Sequence, residues 1–173
     1  MTAIDIESKR AAFDDPAASL SSMFEEQVAR YPSRAAVGSG DGCLTYSELN
    51  RAANRIAHIV LGRLGGGAAT VALLFGPGAA IVAAILGVLK AGKFYVALDP
   101  SYPQPRTAYM LEDCEAKLLL TDTGHLAFAR QLAQAGQEVF NCDEIDSGGA
   151  TANPNCEVHG KSSAFLLYTS GST

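Results

Sequence analysis

The chain has 173 residues, 48% of them hydrophobic, which is enough for one globular domain with a sizeable core. The formal net charge is −5, and the 13 lysines and arginines are scattered singly along the chain. No basic stripe is present to neutralise a phosphate backbone, so the composition argues against nucleic-acid binding.

The N-terminal stretch, residues 1–18, is a polar leader that carries acids and bases but no apolar core of a signal peptide. This predicts a cytoplasmic protein. Residues 68–89 hold no charge and are long enough to suggest a transmembrane segment. However, Gly76-Pro77-Gly78 divides them into a β-like half and a helical half, each too short to span a bilayer. The sequence therefore predicts no membrane contact.

A helix is predicted over residues 20–31, followed by a hairpin of a strand at 35–37, a glycine-rich turn at 38–42 and a return strand from Leu44. Thr45 and Glu48 then have the spacing of a capping box, which begins a second helix. That helix is predicted to bury Leu49, Ala52, Ala53, Ile56 and Val60, and to expose Glu48, Asn50, Arg51, Asn54 and Arg55.

The rest of the chain alternates strands and helices. The predicted strands are residues 70–75, 94–98, 118–121, 138–141 and 164–168, and the last of these is expected to be short and buried. The predicted helices are residues 79–91, 106–116 and 125–134. Residues 142–160 are predicted to form a surface loop. This alternation predicts an α/β fold with a doubly wound, mostly parallel sheet and helices on both faces. Ligands are expected beyond the carboxyl ends of the strands.

The last predicted strand leads into Thr169, Ser170, Gly171, Ser172 and Thr173. Main-chain N–H groups and hydroxyls around one glycine can wrap an anion, as phosphate loops do. The same composition is also typical of a disordered tail. The residues of this loop alone leave both interpretations open.

Other candidate sites are weaker. Two glycine motifs, Gly76-Pro77-Gly78 and Gly160-Lys161-Ser162, lack the glycines that a dinucleotide fingerprint and a Walker A loop require. Asp99 and Arg106 flank a proline-rich loop and are candidates for an ion pair whose ordinary role is to fix a turn and begin a helix.

The histidines and cysteines also indicate ordinary structural roles. His58 and His125 are interpreted as isolated imidazoles with no acid near them in sequence. Three potential zinc ligands, Cys142, Cys156 and His159, lack a fourth and fit no common spacing. We therefore predict free, mostly buried thiols at Cys43, Cys114, Cys142 and Cys156.

Three motifs resemble core motifs of the adenylation domains of nonribosomal peptide synthetases. Residues 44–49 (LTYSEL) resemble the first. Residues 89–103 (LKAGKFYVALDPSYP), continuing to Arg106 and Met110-Leu111, resemble the second. Residues 167–173 (LYTSGST) look like the start of the third, the phosphate-binding signature of adenylate-forming enzymes. Three motifs in the expected order are far more specific than any one, and they favour a phosphate loop over a tail.

This resemblance implies activation of an amino-acid carboxylate with ATP and Mg²⁺ as aminoacyl-AMP, with release of pyrophosphate. The acyl group would then pass to the thiol of 4′-phosphopantetheine on a carrier protein domain. The expected partners are the amino-acid substrate and carrier and condensation-type domains, in cis or in trans. No catalytic residue and no metal ligand is expected within the chain; the residues expected to hold the β- and γ-phosphates are Thr169, Ser170, Gly171, Ser172 and Thr173.

The chain departs from the family pattern in several places. The third motif normally continues with glycine, a variable residue, proline and lysine, whereas this sequence stops at Thr173. Lys93 and Ala97 replace smaller or prolyl residues. We therefore expect residues 19–173 to be the N-terminal portion of an adenylation domain, truncated inside the phosphate-loop motif and inactive alone. An acyl- or aryl-CoA synthetase and a non-catalytic interaction module remain as alternatives.

Overall fold

The computed structural model describes residues 18–39 and 42–169, apart from the side chain of Ser39. These ranges contain five α-helices and seven β-strands. In chain order they are α1 (Leu20–Arg30), β1 (Ala35–Ser39), β2 (Gly42–Thr45), α2 (Tyr46–Leu64), β3 (Thr70–Leu74), α3 (Ala79–Lys90), β4 (Phe94–Leu98), α4 (Gln104–Asp113), β5 (Leu118–Thr121), α5 (Leu126–Leu132), β6 (Glu138–Asn141) and β7 (Phe165–Leu166), with a short 3₁₀ helix at Cys142–Glu144.

Five strands form one parallel sheet in the order β6-β5-β3-β4-β7. The central strand is β3, whose Leu73 lies opposite Ala97 of β4 and Leu120 of β5. The other two strands, β1 and β2, pair antiparallel as a separate hairpin. From the central strand β3 the chain adds β4 on one side, crosses to β5 and β6 on the other side, and returns to β7 beside β4. This arrangement confirms the predicted doubly wound α/β fold.

Helices cover both faces of this sheet, and the side chains of β3 alternate between them. Val71 and Leu73 pack with α2 and α3 on one face. Ala72 and Leu74 pack with α4 and α5 on the other. Because both faces are buried, the strand reads as a continuous apolar run rather than as an alternating one.

Helix α2 begins with the predicted capping box. The Thr45 hydroxyl accepts a hydrogen bond from the N–H of Glu48 at 3.3 Å, and the Glu48 carboxylate accepts one from the Thr45 N–H at 2.8 Å. Asn54 on this helix was predicted to be exposed, and that prediction is wrong because the 142–160 loop covers it completely. Its amide donates to the Thr151 carbonyl at 2.7 Å and to the Asn153 side-chain oxygen at 2.8 Å.

Helices α2 and α3 pack closely at a glycine. A Cβ atom added to Gly87 of α3 would lie 2.7 Å from Cβ of Ile56 and 2.8 Å from the carbonyl oxygen of Ala53 on α2. The absence of a side chain at Gly87 therefore permits this approach. None of the helices in the described ranges is long and apolar enough to cross a membrane.

The last strand differs from its prediction. A buried strand was expected over residues 164–168, but β7 contains only Phe165 and Leu166 and lies at the sheet edge beside β4. Phe165 is 56% exposed and Leu167 is 70% exposed. An apolar run indicates burial only where another element covers it, and the described residues provide no such element for these side chains.

Smaller differences concern where elements begin and end. Helix α4 begins at Gln104 rather than residue 106, because Pro105 is compatible with a first helical turn, where its missing N–H has no partner to lose. Helix α5 is shorter than predicted at both ends. The hairpin strands extend further than predicted, to Ser39 and from Gly42, while residues 40 and 41 of the predicted turn lie outside the described residues.

Candidate functional site

The candidate site lies at the carboxyl edge of the parallel sheet, where all five strands end on the same side. Loops leaving this edge are the usual ligand-binding positions in a doubly wound fold. The first glycine, acidic or Ser/Thr residues after the strands are Gly76 after β3, Asp99 after β4, Asp122 after β5, Asp143 after β6 and Thr169 after β7.

Of the five residues predicted to hold phosphate, Thr169 is the one within the described range. It is exposed and follows the edge strand β7 at the carboxyl side of the sheet. Ser170, Gly171, Ser172 and Thr173 lie outside the described residues, so their phosphate contacts stay a prediction.

The residue before Thr169 is anchored to helix α4. The half-buried Tyr168 ring packs against the apolar cluster between the sheet and helices α4 and α5. Its hydroxyl donates to the Asp113 carboxylate at 2.6 Å and lies 3.4 Å from the Met110 carbonyl oxygen. Burial, together with this hydrogen bond to Asp113, raises the pKa of Tyr168 above its ordinary value. Tyr168 is therefore a neutral hydrogen-bond donor at physiological pH.

The loop after β4 is held by two local contacts. Asp99 accepts a hydrogen bond from the Ser101 N–H at 2.8 Å, and hydrogen bonding from Ser101 lowers the pKa of the carboxyl. The Arg106 guanidinium lies over the Tyr102 ring, 4.3 Å from its centroid. The suggested Asp99–Arg106 ion pair does not occur among the ion pairs of the described residues, and each side chain instead stabilises its own part of the loop.

A carboxylate–imidazole pair joins the ends of β3 and β5. Asp122 lies 2.6 Å from Nδ1 of His125, and its other oxygen accepts a hydrogen bond from the Gly76 N–H at 3.3 Å. A Cβ atom on Gly76 would lie 3.1 Å from the His125 ring. The interpretation of His125 as an imidazole without a nearby acid is wrong, because Asp122 precedes it by three residues in the turn before α5.

Two buried lysines lie away from this edge. Lys93, immediately before β4, donates to the main-chain carbonyl of Gly65 at 2.7 Å and to that of Gly67. Lys90 contacts the Glu25 carboxylate and lies 3.2 Å from the Asn153 side-chain oxygen. Burial lowers the pKa of both ammonium groups. The substitution at Lys93 is therefore accommodated inside the domain and does not add a cation to the candidate site.

All four cysteines are free thiols. Cys43 is exposed, Cys114 is buried, and Cys142 and Cys156 are half-buried, so burial is less general than predicted. Burial raises the pKa of Cys142 to about 12, which keeps this group protonated and unreactive at neutral pH. Within residues 18–39 and 42–169, no three or more His, Cys, Asp or Glu side chains are grouped to hold a metal ion.

Sequence reasoning located the loop at Thr169 but missed the contact that anchors it. Asp113 and Tyr168 are separated by 55 residues, and no local pattern links an acid at the end of one helix to a tyrosine after a distant strand. The resemblance to the second and third motifs placed both residues near motif positions without indicating that they meet.

Residues 24–173 match the AMP-binding enzyme family. Tyrocidine synthase 3 of Brevibacillus parabrevis is 39% identical over 173 residues, covering 94% of this chain and 3% of that protein. N-(5-amino-5-carboxypentanoyl)-L-cysteinyl-D-valine synthase of Amycolatopsis lactamdurans is 40% identical over 153 residues, covering 87% of this chain and 4% of that protein. The chain thus spans only a few per cent of these relatives.

Solved structures of adenylate-forming enzymes are also similar to this chain. The nonribosomal peptide synthetase FmoA3 bound to α-methyl-L-serine-AMP superposes with a TM-score of 0.83 at 28% identity, over 95% of this chain and 19% of that one. The anthranilate CoA ligase AuaEII in complex with anthranoyl-AMP superposes with a TM-score of 0.80 over 93% of this chain and 33% of that one. At 20% identity, the second likeness shows a shared fold only. Together with the family match and the sequence relatives, the FmoA3 structure confirms the resemblance to nonribosomal peptide synthetases.

Proposed function

Because the chain belongs to the AMP-binding enzyme family, we propose that it is part of an enzyme that activates an amino-acid carboxylate with ATP. The products are aminoacyl-AMP and pyrophosphate. The observation that carries this proposal is the family match over residues 24–173, which includes all three motifs. The identity of 39% to a peptide synthase over 94% of the chain favours an amino acid over other carboxylic acids.

In this proposal, residues 19–173 are the N-terminal portion of the adenylation domain, preceded by the leader at 1–18. The phosphate loop begins at Thr169, the exposed residue that follows β7 at the carboxyl edge of the sheet. Its position fits a phosphate site, because an exposed hydroxyl at this edge is accessible to an anionic ligand.

The chemistry requires positioning and charge neutralisation more than covalent participation of the protein. A carboxylate oxygen of the amino acid attacks the α-phosphorus of ATP, and the bond to the pyrophosphate oxygen breaks. Hydroxyl and main-chain N–H donors in the loop hold the β- and γ-phosphates and stabilise the charge that develops on the leaving group. Bound Mg²⁺ supplies further neutralisation of the phosphates. The residues assigned to phosphate binding are Thr169, Ser170, Gly171, Ser172 and Thr173.

The acceptor of the activated acyl group is proposed to be the thiol of 4′-phosphopantetheine on a carrier domain, with condensation-type domains as further partners in cis or in trans. This part rests on the peptide synthases among the relatives. A holo nonribosomal peptide synthetase of four domains, bound to AMP and glycine, is also a structural neighbour, with a TM-score of 0.71 at 25% identity. A cytoplasmic location is proposed from the charged leader.

The proposal is tested by amino-acid-dependent exchange of labelled pyrophosphate into ATP, measured on the complete natural polypeptide with each proteinogenic amino acid. We expect exchange with one or a few amino acids and none without them. Replacing either Ser170 or Ser172 by alanine should lower the exchange rate by about 100-fold, which is the usual cost of losing one hydrogen-bond donor to the transition state. Ser163→Ala, at an exposed serine before β7, is the matched control and should leave the rate unchanged. A wild-type protein that binds ATP but exchanges no pyrophosphate with any amino or aryl acid would overturn the assignment.

Two alternatives have some support. The first alternative is an acyl- or aryl-CoA synthetase, because a CoA ligase shares the fold. Supplying coenzyme A and a phosphopantetheinylated carrier in parallel separates the two enzymes by the thiol that is acylated. The exposed edge strand β7 favours a non-catalytic module that binds another polypeptide along this edge. Exchange activity of the wild-type protein would exclude that alternative.

A further inference from the structure

The segment that leads into the proposed phosphate loop has few contacts with the rest of the domain. Strand β7 pairs with β4 at only two positions, Tyr95 with Phe165 and Val96 with Leu166. One further main-chain hydrogen bond joins the Tyr95 N–H to the Ala164 carbonyl at 3.1 Å. Beyond the strand, Leu167 is 70% exposed. The sheet ladder therefore does not by itself fix the chain at Thr169.

Tyr168 supplies the contacts that the ladder lacks. Its ring packs against the apolar cluster on the α4 face of the sheet, and its hydroxyl donates to the Asp113 carboxylate at 2.6 Å. Asp113 is the last residue of α4, so the acceptor belongs to a regular helix rather than to a loop. A neutral donor bonded to a charged acceptor forms a short, strong hydrogen bond. The direction of this side chain, and of the main chain that carries it, is thereby defined.

Tyr168 is directly bonded to the first residue of the loop. Consecutive Cα atoms are about 3.8 Å apart, so an anchor at Tyr168 restricts the position of the Thr169 N–H and hydroxyl closely. Donors that stabilise a developing charge must be held accurately, and a displacement of about 1 Å costs on the order of 100-fold in rate. An anchor at the base of the loop is thus of direct consequence for phosphate binding.

We propose that Tyr168, through its hydrogen bond to Asp113, is a positioning residue that fixes the start of the phosphate loop for ATP. This inference rests on the proposed function. It assigns to Tyr168 and Asp113 a role in binding ATP without direct contact with it. The described contacts of the pair are with α4 and with the apolar cluster between the sheet and helices α4 and α5, so we expect it to affect the KM for ATP rather than the KM for the amino acid.

The test compares three variants of the complete natural polypeptide by pyrophosphate exchange. Tyr168→Phe keeps the packed ring and removes the hydroxyl, and should raise the KM for ATP about tenfold, the value of one hydrogen bond to a charged group. The KM for the amino acid should stay within about twofold of the wild type, since a twofold change corresponds to much less than one hydrogen bond. Asp113→Ala should match Tyr168→Phe, whereas Asp113→Asn, which keeps a side-chain oxygen as acceptor, should recover part of the affinity.

The matched control is Tyr109→Phe. Tyr109 lies on the same helix as Asp113, is 62% exposed, and makes no hydrogen bond recorded among the described residues. It should leave both KM values unchanged. Because Tyr168 and Asp113 act as one unit, the double variant Tyr168→Phe/Asp113→Ala should be no worse than either single change.

The possible outcomes separate the two claims. An inactive wild-type protein overturns the proposed function. An active wild type with an unchanged KM for ATP in Tyr168→Phe and Asp113→Ala overturns the positioning role alone. Additive effects in the double variant also contradict it. An equal rise in both KM values contradicts it as well, because a residue that positions the phosphate loop should affect the KM for ATP more than the KM for the amino acid. The urea midpoint of Asp113→Asn checks that the recovered affinity is measured on a folded protein.

Discussion

The packing of α2 against α3 can be tested with one methyl group. Gly87→Ala places a Cβ atom 2.7 Å from Ile56 and 2.8 Å from the Ala53 carbonyl oxygen. One of these neighbours is main chain, so rotation of a side chain cannot relieve both contacts. Helices α2 and α3 must therefore separate slightly, or α3 must shift along its axis.

Two opposing effects set the magnitude. Replacing glycine by alanine inside a helix lowers the cost of helix formation by about 1 kcal/mol. Overpacking of a filled core costs about 1–3 kcal/mol. A control isolates the second effect: Gly62 lies in α2, is exposed, and has nothing within 4 Å of an added Cβ atom. Gly62→Ala therefore gains the higher helix propensity of alanine without a steric clash between the added Cβ atom and a neighbouring helix.

The assay is urea denaturation of both variants, followed by far-ultraviolet circular dichroism with the slope m fitted for each. We expect Gly62→Ala to be more stable than the wild type by about 0.5–1 kcal/mol. Gly87→Ala should be less stable than Gly62→Ala by about 1–3 kcal/mol, which is the overpacking cost alone. Equal stability of the two variants, at an unchanged m, would refute the close helix contact.

Three further predictions concern stability. Lys93→Met should flatten the pH dependence of the free energy of unfolding. Burial lowers the folded pKa of Lys93 below its unfolded value, so the wild type gains stability as the pH rises through the folded pKa towards the unfolded one. A smaller gain in the urea midpoint of the variant over the same pH range checks this. Hydrogen bonds from Thr45 lower the pKa of Glu48, a contribution present above the unfolded pKa and lost as the pH falls through the folded one. Glu48→Gln should therefore have a lower melting temperature than the wild type at pH 7, and the difference should shrink as the pH falls through the folded pKa of Glu48. Asn153→Asp should raise the urea midpoint, because its oxygen already accepts from the Lys90 ammonium and two amides of α2, and a midpoint below wild type would contradict that arrangement.

The sheet was predictable because its central strands, β3 and β5, are almost entirely buried and because helices of ordinary length separate the strands from β3 to β6. Strands β4, β5 and β6 occur at the predicted residues, and the capping box fixed the start of α2. These are local signals of period, composition and turn chemistry. The parallel pairing followed from the alternation of strands and helices, whereas the order of the strands in the sheet was not predicted.

The errors share a different physical origin. Asn54 is polar at a helical position that favours solvent, yet the 142–160 loop covers it and supplies its hydrogen-bond partners. Leu166, in the edge strand β7, and Leu167, directly after it, are apolar yet exposed, because no described element covers them. In each case burial was decided by an element distant in sequence. No local pattern contains that information.

The candidate site was predicted in part. The resemblance identified the loop that begins at Thr169, and the alternation placed it at the carboxyl edge of the sheet. The Asp122–His125 pair and the Tyr168–Asp113 contact were both missed. The first depends on the fold of one short turn and the second on the packing of α4 beside β7. Side-chain partners of this kind follow from tertiary structure.

In the proposed reaction, a carboxylate oxygen of the amino acid attacks the α-phosphorus of ATP. The most direct measurement supplies the complete natural polypeptide with the amino acid that supports exchange, labelled with ¹⁸O in both carboxylate oxygens, and traps the adenylate with hydroxylamine. Hydroxylamine attacks the acyl carbon and expels AMP, so AMP should carry one ¹⁸O atom and pyrophosphate none. Label in inorganic phosphate together with formation of ADP would show attack on the γ-phosphorus and would contradict the account.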